Sequence, residues 1–173
     1  MSCSSPWSRR KALLAGATLL VSPALRAHED WPLRSQGRFR YLGLHVYDAK
    51  LLAPQPLHPE RWTEQAFALE LVYARELKGV RIAERSLDEM RRQGELAPEQ
   101  AERWLAALKA AFPDVREGDR LRGVHEPQQG ARFWHNGQPR PGQLDREAAA
   151  RFFGIWLHPA TSEPGLRKRL LGL

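Results

Sequence analysis

The amino-acid sequence predicts an α+β domain in which helices cover one face of a sheet, and three stretches carry that prediction. Ala66 to Tyr73 alternates with the two-residue period of a strand. After Gly79 the period lengthens, so that Val80, Ala83, Leu87 and Met90 recur at helical spacing. Asn136-Gly137, a pair that tolerates positive φ, separates two strand-like runs and is followed by a broad apolar helical arc. Strands and helices in this order make two packed layers.

Taken from the start, residues 37–52 are rich in aromatic and large apolar side chains without helical period, and Pro54, Pro56 and Pro59 follow. One strand running into a loop is expected there. In the next strand Phe67, Leu69, Leu71 and Tyr73 share one face, and Ala66, Ala68, Glu70 and Val72 the other. The first helix stops near Gly94. Pro98 opens a second, whose Ala101, Trp104, Leu105, Leu108 and Phe112 make one buried face until Pro113 ends it. Residues 119–126 and 131–135 read as strands joined to a third after Gln138, which Pro139 and Pro141 weaken or place at a sheet edge. Asp145 caps a helix carrying Ala149, Phe152, Phe153, Trp156 and Leu157, apolar enough to lie centrally against the sheet. Pro164 to Leu171 makes a last, amphipathic helix.

A chain of 173 residues suits one domain with a single core, here residues 28–173 behind a leader. The formal net charge of +7 invites a nucleic-acid reading, but its placement argues against one. Of the 27 basic residues, Arg9, Arg10, Lys11 and Arg26 stand in the first 27 positions with no acid beside them, so the remainder carries +3. That remainder is interspersed with acids, as at Glu84-Arg85 and Glu102-Arg103, and makes no phosphate-tracking stripe.

Residues 1–27 read as a cleaved export signal. Basic residues at 9–11 precede an apolar run from Ala12 to Val21, with small residues at Ser22, Ala24 and Ala27 for cleavage after Ala27 or Ala24. Ser8-Arg9-Arg10-Lys11-Ala12-Leu13-Leu14 is twin-arginine-like, apart from Ala12 where an aromatic is favoured; general secretion is the other route. The run is shorter than the roughly 20 residues of a spanning helix, so no stable membrane insertion is expected once it is removed. The single cysteine, Cys3, lies in this leader, leaving the rest of the chain without a disulfide or a thiolate. The expected location is the periplasm.

Four blocks, in order, are Gly37 to Leu52 with its Val46-Tyr47-Asp48-Ala49, Phe112-Pro113-Asp114-Val115, Gly118-Asp119-Arg120-Leu121, and Arg151-Phe152-Phe153-Gly154-Ile155-Trp156-Leu157-His158-Pro159. Together they resemble the bacterial branch of the chalcone isomerase-like family over roughly residues 33–173. The resemblance implies an antiparallel sheet with helices on one side, the open-faced β-sandwich, and a ligand cleft between sheet and helices. It also exposes a departure. Plant members carry a tyrosine and then an asparagine after a Leu-x-Gly motif; here Leu77-Lys78-Gly79 supplies the motif, but Ile82 stands at the tyrosine position and Glu89 near the asparagine position. Neither side chain can orient the plant substrate or polarise its ketone in the same way.

Arg38 and Arg40, two apart on a strand, point to one face, where they either clamp a carboxylate bidentately or are solvated. The resemblance favours an arginine of this region in the cleft, leaving Arg34, Arg38 and Arg40 open as its source. Of Tyr41, Tyr47 and Tyr73, a phenol that orients a ligand is first sought at Tyr73. Phe153 and Trp156 are expected in the core. His125 and His135 on adjacent strands, with Glu126, do not have a recognised zinc spacing, and no metal or cofactor is expected. No phosphate-loop, Gly-x-Gly-x-x-Gly or serine-hydrolase elbow appears.

These readings converge on an exported, cofactor-free domain that binds a small apolar or amphiphilic ligand such as a fatty acid. Arg38 or Arg40 would hold the head, Tyr73 would add a hydrogen bond, and Phe67, Leu69 and Phe152 would meet the tail. Two alternatives stand beside it: an isomerase or lyase using an arginine against an enolate-like intermediate, and a periplasmic partner-binding protein whose cleft is filled by its own side chains. Nucleic acid is not expected as a partner, and the oligomeric state is left open.

Overall fold

A computed structural model describes residues 30–173. The export signal read at residues 1–27 lies outside the described residues. Strands β1 (Leu33–Tyr41), β2 (Leu44–Leu52), β3 (Phe67–Tyr73), β4 (Arg120–Glu126), β5 (Gly130–His135) and β6 (Gln138–Leu144) form one sheet in chain order. Every neighbouring pair is antiparallel. Helices α1 (Gly79–Arg91) and α2 (Pro98–Ala111) stand between β3 and β4, while α3 (Arg146–Leu157) and α4 (Pro164–Leu171) end the described chain. This is the expected α+β layout, with proline-bearing β6 at a sheet edge. No helix among the described residues is long and apolar enough to cross a membrane.

The first strand needs correction. Residues 37–52 are two strands, not one, because the chain turns tightly at Leu42 and Gly43, with φ of 48° and 80°. The β5–β6 hairpin uses the same sign of φ at Asn136 and Gly137, 49° and 82°. Asn-Gly announces such a turn in the sequence, whereas Leu-Gly does not.

The inner face of the sheet carries the core. Phe67 stacks on His125 with ring centroids 4.9 Å apart and meets Phe153 of α3 edge-on at 4.9 Å. On the outer face Lys50, Glu70, Arg122 and Trp134 occupy one row across four strands. There Arg122 Nη2 stands 2.9 Å from Glu70 Oε2, so that Glu70 is buried but paired. α2 lies on β6, α3 on β5 and α4 on β1, whereas α1 packs on α2 and α3. Its buried stripe is Gly79, Ala83, Leu87 and Met90; Val80, expected in that stripe, is turned outward because Gly79 takes the inward position.

Two helix starts are fixed differently. Asp145 caps α3 by accepting from Ala148 N at 2.8 Å, as its sequence position predicts. α1 is capped from a distance: Asp114 Oδ1 accepts from Gly79 N at 2.9 Å and Oδ2 from Lys78 Nζ at 2.8 Å. Leu77 and Val115 form a β-bridge alongside. The approach is so close that a Cβ on Gly79 would lie 2.2 Å from the Phe112 carbonyl oxygen.

Gly79→Ala therefore displaces the start of α1 or the 112–115 segment and is expected to lower stability by about 1–3 kcal/mol, an overpacking cost, in urea unfolding. A second prediction concerns acid. Burial lowers the His125 imidazole pKa, only partly opposed by its 2.9 Å hydrogen bond to the Gln65 carbonyl. The neutral ring is thus favoured in the fold, and the associated stability is full above about pH 6.5, the unfolded imidazole value, and declines as pH falls below it. His158, also lowered chiefly by burial, adds a slope of the same sign. His125→Asn, whose amide can replace Nδ1 as the donor, should reduce the pH dependence between about pH 7 and 5, though it loses ring packing at every pH. Unfolding curves at the two pH values measure the difference.

Candidate functional site

Because α1 rests on other helices, space remains between it and the sheet. A cavity of ≈ 400 Å³ fills that space, within the usual range of about 300–1,000 Å³ for small-molecule pockets. Its sheet side is built by Phe39, Tyr47, Leu71, Tyr73 and Leu121, and its helix side by Ile82, Phe152, Ile155 and Trp156. Most of this lining is apolar. Polar groups come from Arg75 after β3, from Arg81, Arg85, Ser86 and Glu89 on α1, and from Ser162 and Glu163 before α4.

The aromatic arrangement follows from strand register. Tyr47 and Tyr73 are directly opposed on β2 and β3, with ring centroids 6.0 Å apart and near-perpendicular planes. Phe39 on β1 stacks on Tyr47 at 4.8 Å. Trp156 of α3 donates its indole N–H to the Tyr47 oxygen at 3.0 Å. That bond leaves the Tyr47 proton available as a donor. The Tyr73 hydroxyl has no hydrogen-bond partner among the described residues. Burial pushes both phenol pKa values well above their ordinary range; for Tyr73 the neighbouring Tyr47 adds to this, and for Tyr47 the Trp156 bond partly opposes it. Both therefore stay protonated at neutral pH, as donors for a ligand oxygen.

Charge is concentrated on α1. Arg85 Nη2 lies 2.5 Å from Glu89 Oε1, while Glu89 Oε2 is buried without a hydrogen bond and Arg92 Nε stands 3.6 Å from it. Ser86 Oγ is committed to the Ile82 carbonyl at 2.8 Å. Arg81 pairs with Glu84 at 3.1 Å, and Arg75 has no acidic partner among the described residues. Arg81 and Arg85 reach the cavity as largely exposed side chains, 80% and 60%. The result is an apolar chamber with two phenol donors inside and guanidinium groups at its open side.

The residues singled out from sequence divide between this chamber and the rest of the fold. Tyr73 and Phe152 line the cavity. Phe67 and Leu69 share the inner face with Tyr73 but lie further along β3, in the packed core. Arg38 and Arg40 are absent from the lining because Phe39 takes the inward position between them. Arg38 pairs with Asp48 at 3.0 Å on the outer face, and Arg40 reaches the Gly43 carbonyl at 3.4 Å. Arg34 is bonded to the carbonyls of Ala53, at 2.8 Å, and Pro54. Trp156, expected as core, is both core and cavity wall.

The histidines are held apart by register. His125 opposes Ala131 and His135 opposes Leu121, at opposite ends of the β4–β5 ladder, and His135 lies 3.3 Å from Asp119. Sequence reasoning missed Arg81 and Arg85, although a signal existed: they flank the apolar stripe at i and i+4, next to Ile82 and Ser86.

Comparison with known proteins adds three findings. Residues 40–172 match the family described as chalcone isomerase-like. An uncharacterized protein of Haemophilus influenzae is 26% identical over 164 residues, spanning 95% of this chain and 78% of that protein. A fatty-acid binding protein of Arabidopsis thaliana has the same fold: the crystal structure is 11% identical, with a TM-score of 0.59 over 82% of this chain and 86% of that chain. Six antiparallel strands under four helices and a match that runs from β1 to the end of α4 lead to one assignment: the chain belongs to the chalcone isomerase-like family.

Proposed function

We propose that this protein binds a small amphiphile, with a fatty acid as the most concrete case, in the cavity between α1 and the sheet, without transforming it. The observation that carries the reading is the pairing of an apolar chamber with uncommitted phenol donors, Tyr47 and Tyr73, and arginines at its open side. The tail would lie against Leu71, Leu121, Phe112, Phe152 and Ile155. A carboxylate head would accept from the two phenols and draw on Arg85, a charge-assisted contact. The fatty-acid binding function of the Arabidopsis thaliana relative is consistent with this. Ile82 at the position of the plant tyrosine and Glu89 near that of the asparagine favour binding over the plant reaction. A cleft filled by its own side chains does not describe a chain with this cavity. We further propose export to the periplasm, supported by the basic, apolar and small-residue order of residues 9–27 and tested by cell fractionation with N-terminal sequencing.

The first test is native mass spectrometry of the purified protein with solvent extraction of whatever accompanies it, followed by displacement of a fluorescent fatty acid. A stoichiometric amphiphile and saturable displacement are expected; a ligand-free mass together with no displacement by any chain length would sink the reading. Arg85→Ala should weaken binding about tenfold or more, as for loss of a charge-assisted hydrogen bond. Tyr73→Phe should also weaken it while leaving thermal stability unchanged, because the hydroxyl it removes has no partner among the described residues.

A further inference from the structure

The β1–β2 hairpin carries a feature that folding does not account for. Leu42 sits at φ 48°, in the left-handed region that favours glycine or asparagine, and its side chain is 85% exposed. The β5–β6 hairpin fills the equivalent place with Asn136. One sheet thus solves the same turn twice with opposite chemistry, and Leu42 gains no burial in return. Tyr41 and Leu44 on either side of the turn are each 55% exposed. A local rule broken without a compensating contact points to function.

The tip borders the cavity. Tyr41 belongs to the cavity lining, and Ala74 N donates to Val46 O at 2.9 Å, which brings the end of β3 and Arg75 beside the hairpin. Two guanidinium groups here lack an acid among the described residues: Arg40, bonded only to the Gly43 carbonyl, and Arg75. Three apolar side chains on a convex turn fall far short of the about 800 Å² per partner of a stable protein interface. They suit a bilayer surface, where apolar groups enter the acyl boundary and cations meet anionic phosphates.

We propose that the β1–β2 hairpin docks this protein peripherally on an anionic lipid bilayer, with Leu42 and Leu44 in the acyl boundary and Arg40 and Arg75 at the phosphate layer, so that the cavity opens toward the membrane. Docking goes beyond the binding function; only the role of the cavity in it rests on that reading.

The test uses the full chain and vesicles of phosphatidylglycerol and phosphatidylethanolamine, with phosphatidylcholine vesicles as the neutral control. Wild type should bind the anionic vesicles and lose affinity in about 1 M salt, where screening acts over about 3 Å. Leu42→Asn, which suits the turn and so does not threaten folding, should bind them about tenfold more weakly, the loss expected for one leucine withdrawn from an apolar phase. Because residues 1–29 are common to every variant, the tip is also read directly: the added indole of Leu42→Trp should be quenched by brominated lipid, seen as the difference from wild type. An unquenched tip indole, or equal affinity of wild type and Leu42→Asn, overturns the proposal. So does a Leu42→Asn variant that turns a dimer into a monomer at unchanged vesicle affinity, which would make the tip a self-association surface. Fatty-acid displacement in vesicle-free buffer separates the two readings: docking without displacement removes the ligand and leaves the docking surface standing.

Discussion

Helix α1 is held at its first residue and along its side, not from beneath. Asp114 accepts from Gly79 N and Lys78 Nζ, the Leu77–Val115 bridge fixes the segment before the helix, and α2 and α3 support its flank. With its position set by those contacts, α1 does not have to collapse onto β2 and β3. The cavity is the volume this leaves. A glycine at position 79 is the steric condition for the whole arrangement, since the helix begins against the Phe112 carbonyl.

The polar groups around the cavity follow from the same placement. α1 presents its apolar stripe to α2 and α3, so its adjacent face, with Arg81, Ile82, Arg85 and Glu89, is left for the cavity. A helix laid flat on the sheet could not keep charged residues there, because desolvating them would outweigh their pairing. From below, the opposed pair Tyr47 and Tyr73 brings two phenols to the same space, and the indole of Trp156 orients one of them. Further along the inner face, Phe67 and His125 pack their rings against Phe153 of α3.

Several elements were legible because their signals are local. The alternation of Phe67 to Tyr73, the cap at Asp145, the proline at the start of α2 and the Asn136-Gly137 turn each depend on neighbours within a few positions. The Leu42-Gly43 turn was not legible, since its backbone geometry is imposed on a residue that gives no turn signal. The parity of β1 was equally hidden. Arg38 and Arg40 do share a face, as their spacing requires, but whether that face is inner or outer depends on Phe39 packing against Tyr47, a contact between strands.

The sequence by itself determined the class of the domain and the order of its elements after the first hairpin, because periodicity, caps and turn residues act over short distances; the cleft was an implication of the family resemblance carried by its four blocks. Only the tertiary structure decided which cations face the cavity and which are spent on the outer face. It alone separated His125 from His135 and paired Tyr47 with both Tyr73 and Trp156. Those outcomes depend on strand register and on where α1 is clamped, and both are set by contacts between residues far apart in the chain.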